Sequence, residues 1–216
     1  MITEKYEDVL QFWFPSQPSP DQATMVRRWE WWFRGGANVE VIEHFSPLLE
    51  QAILCELDAW SGQSRSRLAL ILVLDQFSRS IYAGTAQAFA QDSKACDLTL
   101  EGINVGHYEE LKTPWEKTFF FLPLGHSEDL SNLELAIKLG DNLVQEAPQE
   151  YRALLEFSAA QARRHRDILM QFGRHPHRNK ALERQSTPEE LEYLASGHLV
   201  HTRSMPSHLS QFLCES

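Results

Sequence analysis

Residues 68–74 read Leu-Ala-Leu-Ile-Leu-Val-Leu, and a helix through them has no polar face to offer water. Such a helix must be covered on most sides, so the remaining chain has to be arranged around it. Extended to residue 82, the same helix carries Asp75 in line with Leu68, Ile71, Leu72 and Arg79. This spacing takes a carboxylate inward, with an arginine one turn later. A buried charge costs several kcal/mol unless it is paired, so Asp75 is expected to contact Arg79 or the backbone. The pair can be read as a structural anchor for the turn IYAGT, or as an arginine facing a pocket and oriented by Asp75.

The rest of the chain shows helical periods and caps, with no strand alternation of any length. Tyr6, Val9, Leu10, Trp13 and Phe14 form the first helical face, ended by the loop PSQPSP. Asp21 is placed to cap a second helix running through Trp29 and Phe33 to Gly35 and Gly36, and Asn38 to cap a third, with a fresh start or kink at Ser46-Pro47. Thr85 is read as the cap of a helix reaching residue 105. Thr113 and Glu116 form a capping box with Pro114 at the first helical position, opening a short aromatic helix that Pro123 interrupts. Ser127 is expected to cap the next helix, through Leu143. Pro148 begins a long one that Gly173 stops, and Ser186-Thr187-Pro188-Glu189 opens the last. Residues 1–197 are thus expected to form a single helical domain, and residues 198–216 a polar tail with at most a short turn at 209–213. Five of the six tryptophans lie at or before Trp60. Aromatics at helical spacing in an acidic chain are read as core, ahead of a stacking platform for bases or sugars.

The polar counterpart of the apolar helix is HRDILMQFGRHPHRNKALERQST, residues 165–187. His165, Ile168, Leu169 and Phe172 share one helical face, so His165 points with the core-facing residues. Arg174, His175, His177, Arg178 and Asn179 then bracket Pro176 on a turn. Between Arg163 and Arg184 stand seven Lys or Arg against only Asp167 and Glu183, in a chain of net formal charge −10. Surfaces usually mix their signs, so this local surplus marks a centre. A second polar group, Gly125-His126-Ser127-Glu128, precedes a helix start, where free N–H groups and the positive dipole end favour anions. His126 there either helps hold a phosphate or carboxylate, or caps and packs.

Three motifs in this order, LDQFSRSIYAGT (residues 74–85), LPLGHSED (122–129) and FGRHPHRN (172–179), resemble those of the bacterial "domain of unknown function 924" family. The resemblance spans roughly residues 9–194 and implies an all-α, tetratricopeptide-like superhelical array of antiparallel helix pairs. It implies no reaction. Asp75, Arg79, His126, Glu128, Arg174, His177, Arg178 and Asn179 match the family's motif positions. The family pattern favours Pro at Ser78, Asn at Ser80, an aromatic at His175 and Gly at Glu183. No exact repeat of about 34 residues is visible, though degenerate and terminal repeats are usual in such arrays.

Several functions are excluded by composition or by missing motifs. An acidic chain lacks the Lys/Arg surplus that general nucleic-acid binding needs. No stretch of about 18 apolar residues occurs, and the N-terminal MITEKYEDVLQFWF has no basic leader with an apolar run and cleavage site, so a cytoplasmic protein without membrane association is expected. Cys55, Cys96 and Cys214 have neither disulfide nor zinc spacing. No P-loop, G-x-G-x-x-G or G-x-S-x-G is present, and no cofactor is expected. His126, Glu128, His165 and His177 have donor atoms suited to a metal but not the spacing of a metal motif.

Three function classes remain. The leading one is a pocket for an anionic small molecule or acidic peptide end, bound by Asp75, Arg79, His126, Glu128, Arg174, His177, Arg178 and Asn179. The alternative is an enzyme at the same place, with His126 or His165 as general base and Glu128 or Asp75 orienting it. The third is a protein-interaction scaffold in which the polar motifs only join helices.

Overall fold

The computed structural model describes residues 3–15, 20–197 and 199–213, and among these there is no strand. The helices are α1 (Thr3–Trp13), α2 (Gln22–Phe33), α3 (Asn38–Ile53), α4 (Ser64–Leu72), α5 (Ser78–Ile81), α6 (Asp92–Asn104), α7 (His107–Glu110), α8 (Pro114–His126), α9 (Leu130–Glu146), α10 (Gln149–Phe172), α11 (Pro188–Ala195) and α12 (Ser207–Ser210). A π-helical turn, Val73–Phe77, joins α4 to α5, so the expected single helix over 68–82 runs through with one widened turn.

The apolar run sits where its composition requires. Every residue from 68 to 74 is 0% exposed, and so is Asp75. α1, α6 and α8 pack around α4, and α3 covers the π-helical turn. Close approach depends on Gly102 of α6, where a Cβ would meet Phe120 Cζ at 2.5 Å and Arg67 Cδ at 2.7 Å. α8, α9 and α10 follow one another as packed neighbours, and α2 lies against α10. Five of the six tryptophans are buried, and Trp31 packs against the core half-buried. Trp32 and Trp13 stack edgewise on Phe119 at 4.9 and 5.5 Å between ring centroids. Trp29 reaches across, its Nε1 donating to Ser158 Oγ at 2.9 Å and tying α2 to α10.

Caps formed by a side chain and a nearby backbone N–H occur where the spacing predicts them. Asp21 accepts from Thr24 N at 2.6 Å, and capping boxes close at Thr113–Glu116 and Thr187–Glu190, each with proline next in line. Gly173 ends α10 at φ +70°. Other expectations are corrected. Asn38 does not cap α3; its Oδ1 accepts from Ser80 Oγ at 2.8 Å. Thr85 Oγ1 donates back to Tyr82 O, and α6 starts only at Asp92. Ser127 is displaced as the cap of α9 by Asp129, which accepts from Ser131 N and Asn132 N. Pro47 and Pro123 lie inside α3 and α8 without ending them, Pro123 being in the last turn of its helix. Of the loop expected over residues 15–20, residues 16–19 lie outside the described residues. Part of the segment expected as a polar tail joins the core: Val200, Met205 and Leu209 are 6%, 9% and 0% exposed.

Glu183 takes φ +53°, a left-handed conformation that favours glycine. The Gly that the resemblance implies at this position would suit such a backbone.

Candidate functional site

The site begins with the π-helical turn, which brings Asp75 under the last residue of α8. His126 Nδ1 lies 2.7 Å from Asp75 Oδ1, and Arg79 Nη1 approaches the same oxygen at 3.1 Å. Gln76 Nε2 donates to Asp75 Oδ2, while Ser78 Oγ and Arg79 Nη1 donate to the carbonyls of Leu74 and Asp75. Burial pushes the Asp75 carboxyl up, but Arg79 and His126 outweigh it and hold the group well below the usual carboxylate range. An ionised Asp75 can only accept, so His126 Nδ1 donates to it, and in the neutral ring it is Nε2 that carries the lone pair. His126 keeps 20% side-chain exposure, and Nε2 has no hydrogen-bond partner among the described residues.

His126 lines a partly open cavity of about 180 Å³ between α2, α8, α9 and α10. The space exists because facing helical positions are small: Gly125, Ala136, Gly140, Ala159 and Ala162. A Cβ on Gly125 would meet nothing within 4 Å, whereas one on Gly140 would stand 3.3 Å from the Ala159 Cβ, holding α9 and α10 close. Trp29, Phe33, Phe121, Leu143 and Leu155 supply apolar wall. The charged and hydrogen-bonding groups are Arg34, His126, His165, Gln161, Ser158 and Thr118, and among the described residues no carboxylate lines the cavity. Arg34 donates to Arg203 O and lies over the Trp29 ring at 5.4 Å. Gln161 Nε2 donates to Val200 O, while its Oε1 is buried without a partner.

Behind this wall the histidines gather. His165 meets His175 edge-on at 5.1 Å between ring centroids, and His177 lies 5.6 Å from His175. Burial, with His175, His126, His177 and Arg178 nearby, pushes His165 well below its ordinary value. Burial and Arg178 take His175 down to about 4. Both rings are neutral at pH 7. His175 Nδ1 is buried with no hydrogen-bond partner among the described residues, and Nε2 lies 3.3 Å from Ser127 O.

Each nearby arginine is met by a carboxylate. Arg79 Nη2 and Arg178 Nη1 both donate to Asp92 Oδ2 at 3.0 Å, with Phe89 beneath the two guanidinium groups. Arg178 Nη2 also donates to His126 O at 2.8 Å, fixing the end of α8. Glu128 accepts from Arg184 and from His175 N, and Arg174 makes a two-pronged contact with Glu190 at 2.6 and 2.8 Å. Asn179 Nδ2 joins this web at Glu190, whose carboxyl the Arg174 hydrogen bonds bring down to about 2.

Residues 9–198 match the family described as "Bacterial protein of unknown function (DUF924)". The chain belongs to this family. A solved structure of a protein of unknown function from Agrobacterium tumefaciens is similar to this DUF924 chain at 32% identity and a TM-score of 0.69, covering 91% of this chain and 100% of that one. No curated protein matches it.

The DUF924 motifs converge, but as two linked webs in place of a single lined pocket. Of the residues expected to bind a ligand, His126 lines the cavity, and Asp75 holds His126 from behind. Arg79 and Arg178 meet at Asp92, while Glu128, Arg174 and Asn179 belong to the web closed by Arg184 and Glu190; none of them lines the cavity. His177 lies among the histidines. Of the catalytic candidates, His126 and His165 both face the cavity, and Asp75, in place of Glu128, orients His126. Among the described residues, no three His, Cys, Asp or Glu side chains gather as a metal site requires. No described helix is long and apolar enough to cross a membrane. The sequence reading missed Asp92, Glu190 and the role of Arg184, which pair over long separations. It also missed the small-residue positions at helical spacing on α9 and α10, the one signal that could have revealed the cavity.

Proposed function

We propose that this protein binds a small organic acid, its apolar body against the walls of the cavity between α2, α8, α9 and α10 and its anionic group near Arg34, His126 and His165. The observation that carries this reading is the cavity lining: one arginine, two histidines and, among the described residues, no carboxylate, in a chain of net charge −10. Ligand sites are mostly apolar with a few convergent polar groups, and a volume of about 180 Å³ suits a small acid better than a nucleotide or peptide. The arginines around Asp92 and Glu190 are already neutralised, which speaks against an anion at the turn around Pro176.

Thermal unfolding in the presence of butyrate or benzoate tests the proposal. The midpoint is expected to rise with ligand concentration, by the equivalent of about 2.7 kcal/mol at a hundredfold excess over Kd. Inorganic phosphate and benzyl alcohol should produce smaller shifts, and Ala162→Phe, which fills the cavity, should remove the response. A rise that phosphate reproduces and Ala162→Phe leaves intact would place the anion elsewhere and reject the reading.

A further inference from the structure

We propose that the same cavity is hydrolytic, with His126 Nε2 as the general base that activates water against the acyl carbon of an ester or thioester of a small apolar acid. The proposal rests on the cavity reading above, since the acid bound there is the product of the reaction. Three features of the geometry support it. The buried Asp75 carboxylate lies 2.7 Å from Nδ1, which in the neutral ring sets the tautomer that has its lone pair on Nε2, and the residue lines the cavity. His126 is the final residue of α8, where the negative end of the helix dipole and Asp75 both favour the imidazolium formed when Nε2 takes a proton. Arg34 and the neutral His165 line the same cavity and can donate hydrogen bonds to a developing oxyanion.

The cavity's hydroxyl groups are otherwise engaged. Thr118 Oγ1 donates to Pro114 O at 2.8 Å, and Ser158 Oγ accepts from Trp29 Nε1 at 2.9 Å. Neither is hydrogen-bonded to His126, so the base acts on water directly and no acyl-enzyme forms. In the first step Nε2 accepts a proton as the water oxygen bonds to the carbonyl carbon. The tetrahedral adduct then breaks its bond to the alcohol oxygen or thiol sulfur, which receives the proton held on Nε2. The acid leaves as its carboxylate, releasing one proton to solvent, and no electrons are exchanged with any other reactant.

The test uses the full chain with p-nitrophenyl butyrate as substrate and butyrate as ligand. Saturable hydrolysis is expected, faster than with free imidazole at the same concentration. His126→Asn keeps an amide N–H where Nδ1 donates to Asp75 but has no Nε2. It should lower kcat by roughly 10²–10⁴-fold, the usual worth of a general base, while retaining the helical circular dichroism spectrum. A second readout needs no variant: diethyl pyrocarbonate should carbethoxylate His126 and abolish turnover in the wild-type protein, with butyrate protecting. Unchanged kcat in folded His126→Asn, or turnover surviving modification of His126, overturns the proposal. Turnover no faster than free imidazole, alongside an intact butyrate response, removes the hydrolytic step and leaves the binding reading standing. Absence of both removes both.

Discussion

Asp75→Ala is expected to destabilise the protein by roughly 3–5 kcal/mol, the cost of removing one partner from a buried charged pair. Three groups lose their acceptor at once: His126 Nδ1, Gln76 Nε2 and one contact of Arg79. Arg79 retains Asp92, so the loss falls chiefly on His126 and Gln76 in surroundings where Asp75 itself is 0% exposed. At about 2–4 °C per kcal/mol for a chain of this size, the melting temperature should fall by roughly 6–20 °C. Asp167→Ala is the control, because that carboxylate is 63% exposed and paired only at the surface. Its effect should stay within about 0.5 kcal/mol. Equal effects of the two substitutions in urea unfolding would mean that the carboxylate in the π-helical turn contributes nothing to holding α8 against α4.

Acid should destabilise the fold well above the range where carboxylates titrate. His175 is held neutral, with its folded value lowered to about 4 from an ordinary value of 6.5, and His165 is lowered as well. Between those two values the unfolded chain binds the proton and the folded chain does not. Stability is therefore fully present above about pH 6.5 and declines as pH falls toward 4. The slope is about 1.4 kcal/mol per pH unit for each such histidine, so His175 alone accounts for roughly 3 kcal/mol across the window. Below about pH 4.5 the paired carboxylates add to the decline, since Glu190 is lowered from 4.5 to about 2. Urea midpoints measured from pH 7.5 to 4.5 should follow this course. His175→Phe, which keeps an aromatic ring but removes the titrating group, should flatten the dependence between pH 6.5 and 4.5 whatever its effect at neutral pH. An identical slope in wild type and His175→Phe would show that this histidine is not the buried neutral group described.

The sequence by itself determined the elements whose cause is local. Seven apolar residues in succession demanded a covered helix, and the position of Asp75 on its stripe demanded a partner; both follow from helical period and the cost of buried charge. Asp21, Thr113, Thr187 and Gly173 formed their caps because each needs only backbone groups a few residues away. Asn38, Thr85 and Ser127 have equally suitable side chains, yet they lost the role, since a nearer competitor or a tertiary partner took the bond. The clustered arginines and histidines were legible as a polar centre, but their balance was not. Asp92 lies 86 residues from Arg178 and Glu190 belongs to a cap, so no local pattern marks either as a counterion. Tertiary structure alone decided which residues face empty space. The cavity wall comes from four helices, and a void arises only where small side chains of one helix meet small side chains of another. Apolar periodicity says which way a residue points and says nothing about what stands opposite. For that reason the need of Asp75 for a partner was legible in the sequence, while the cavity beside His126 could be seen only in the fold.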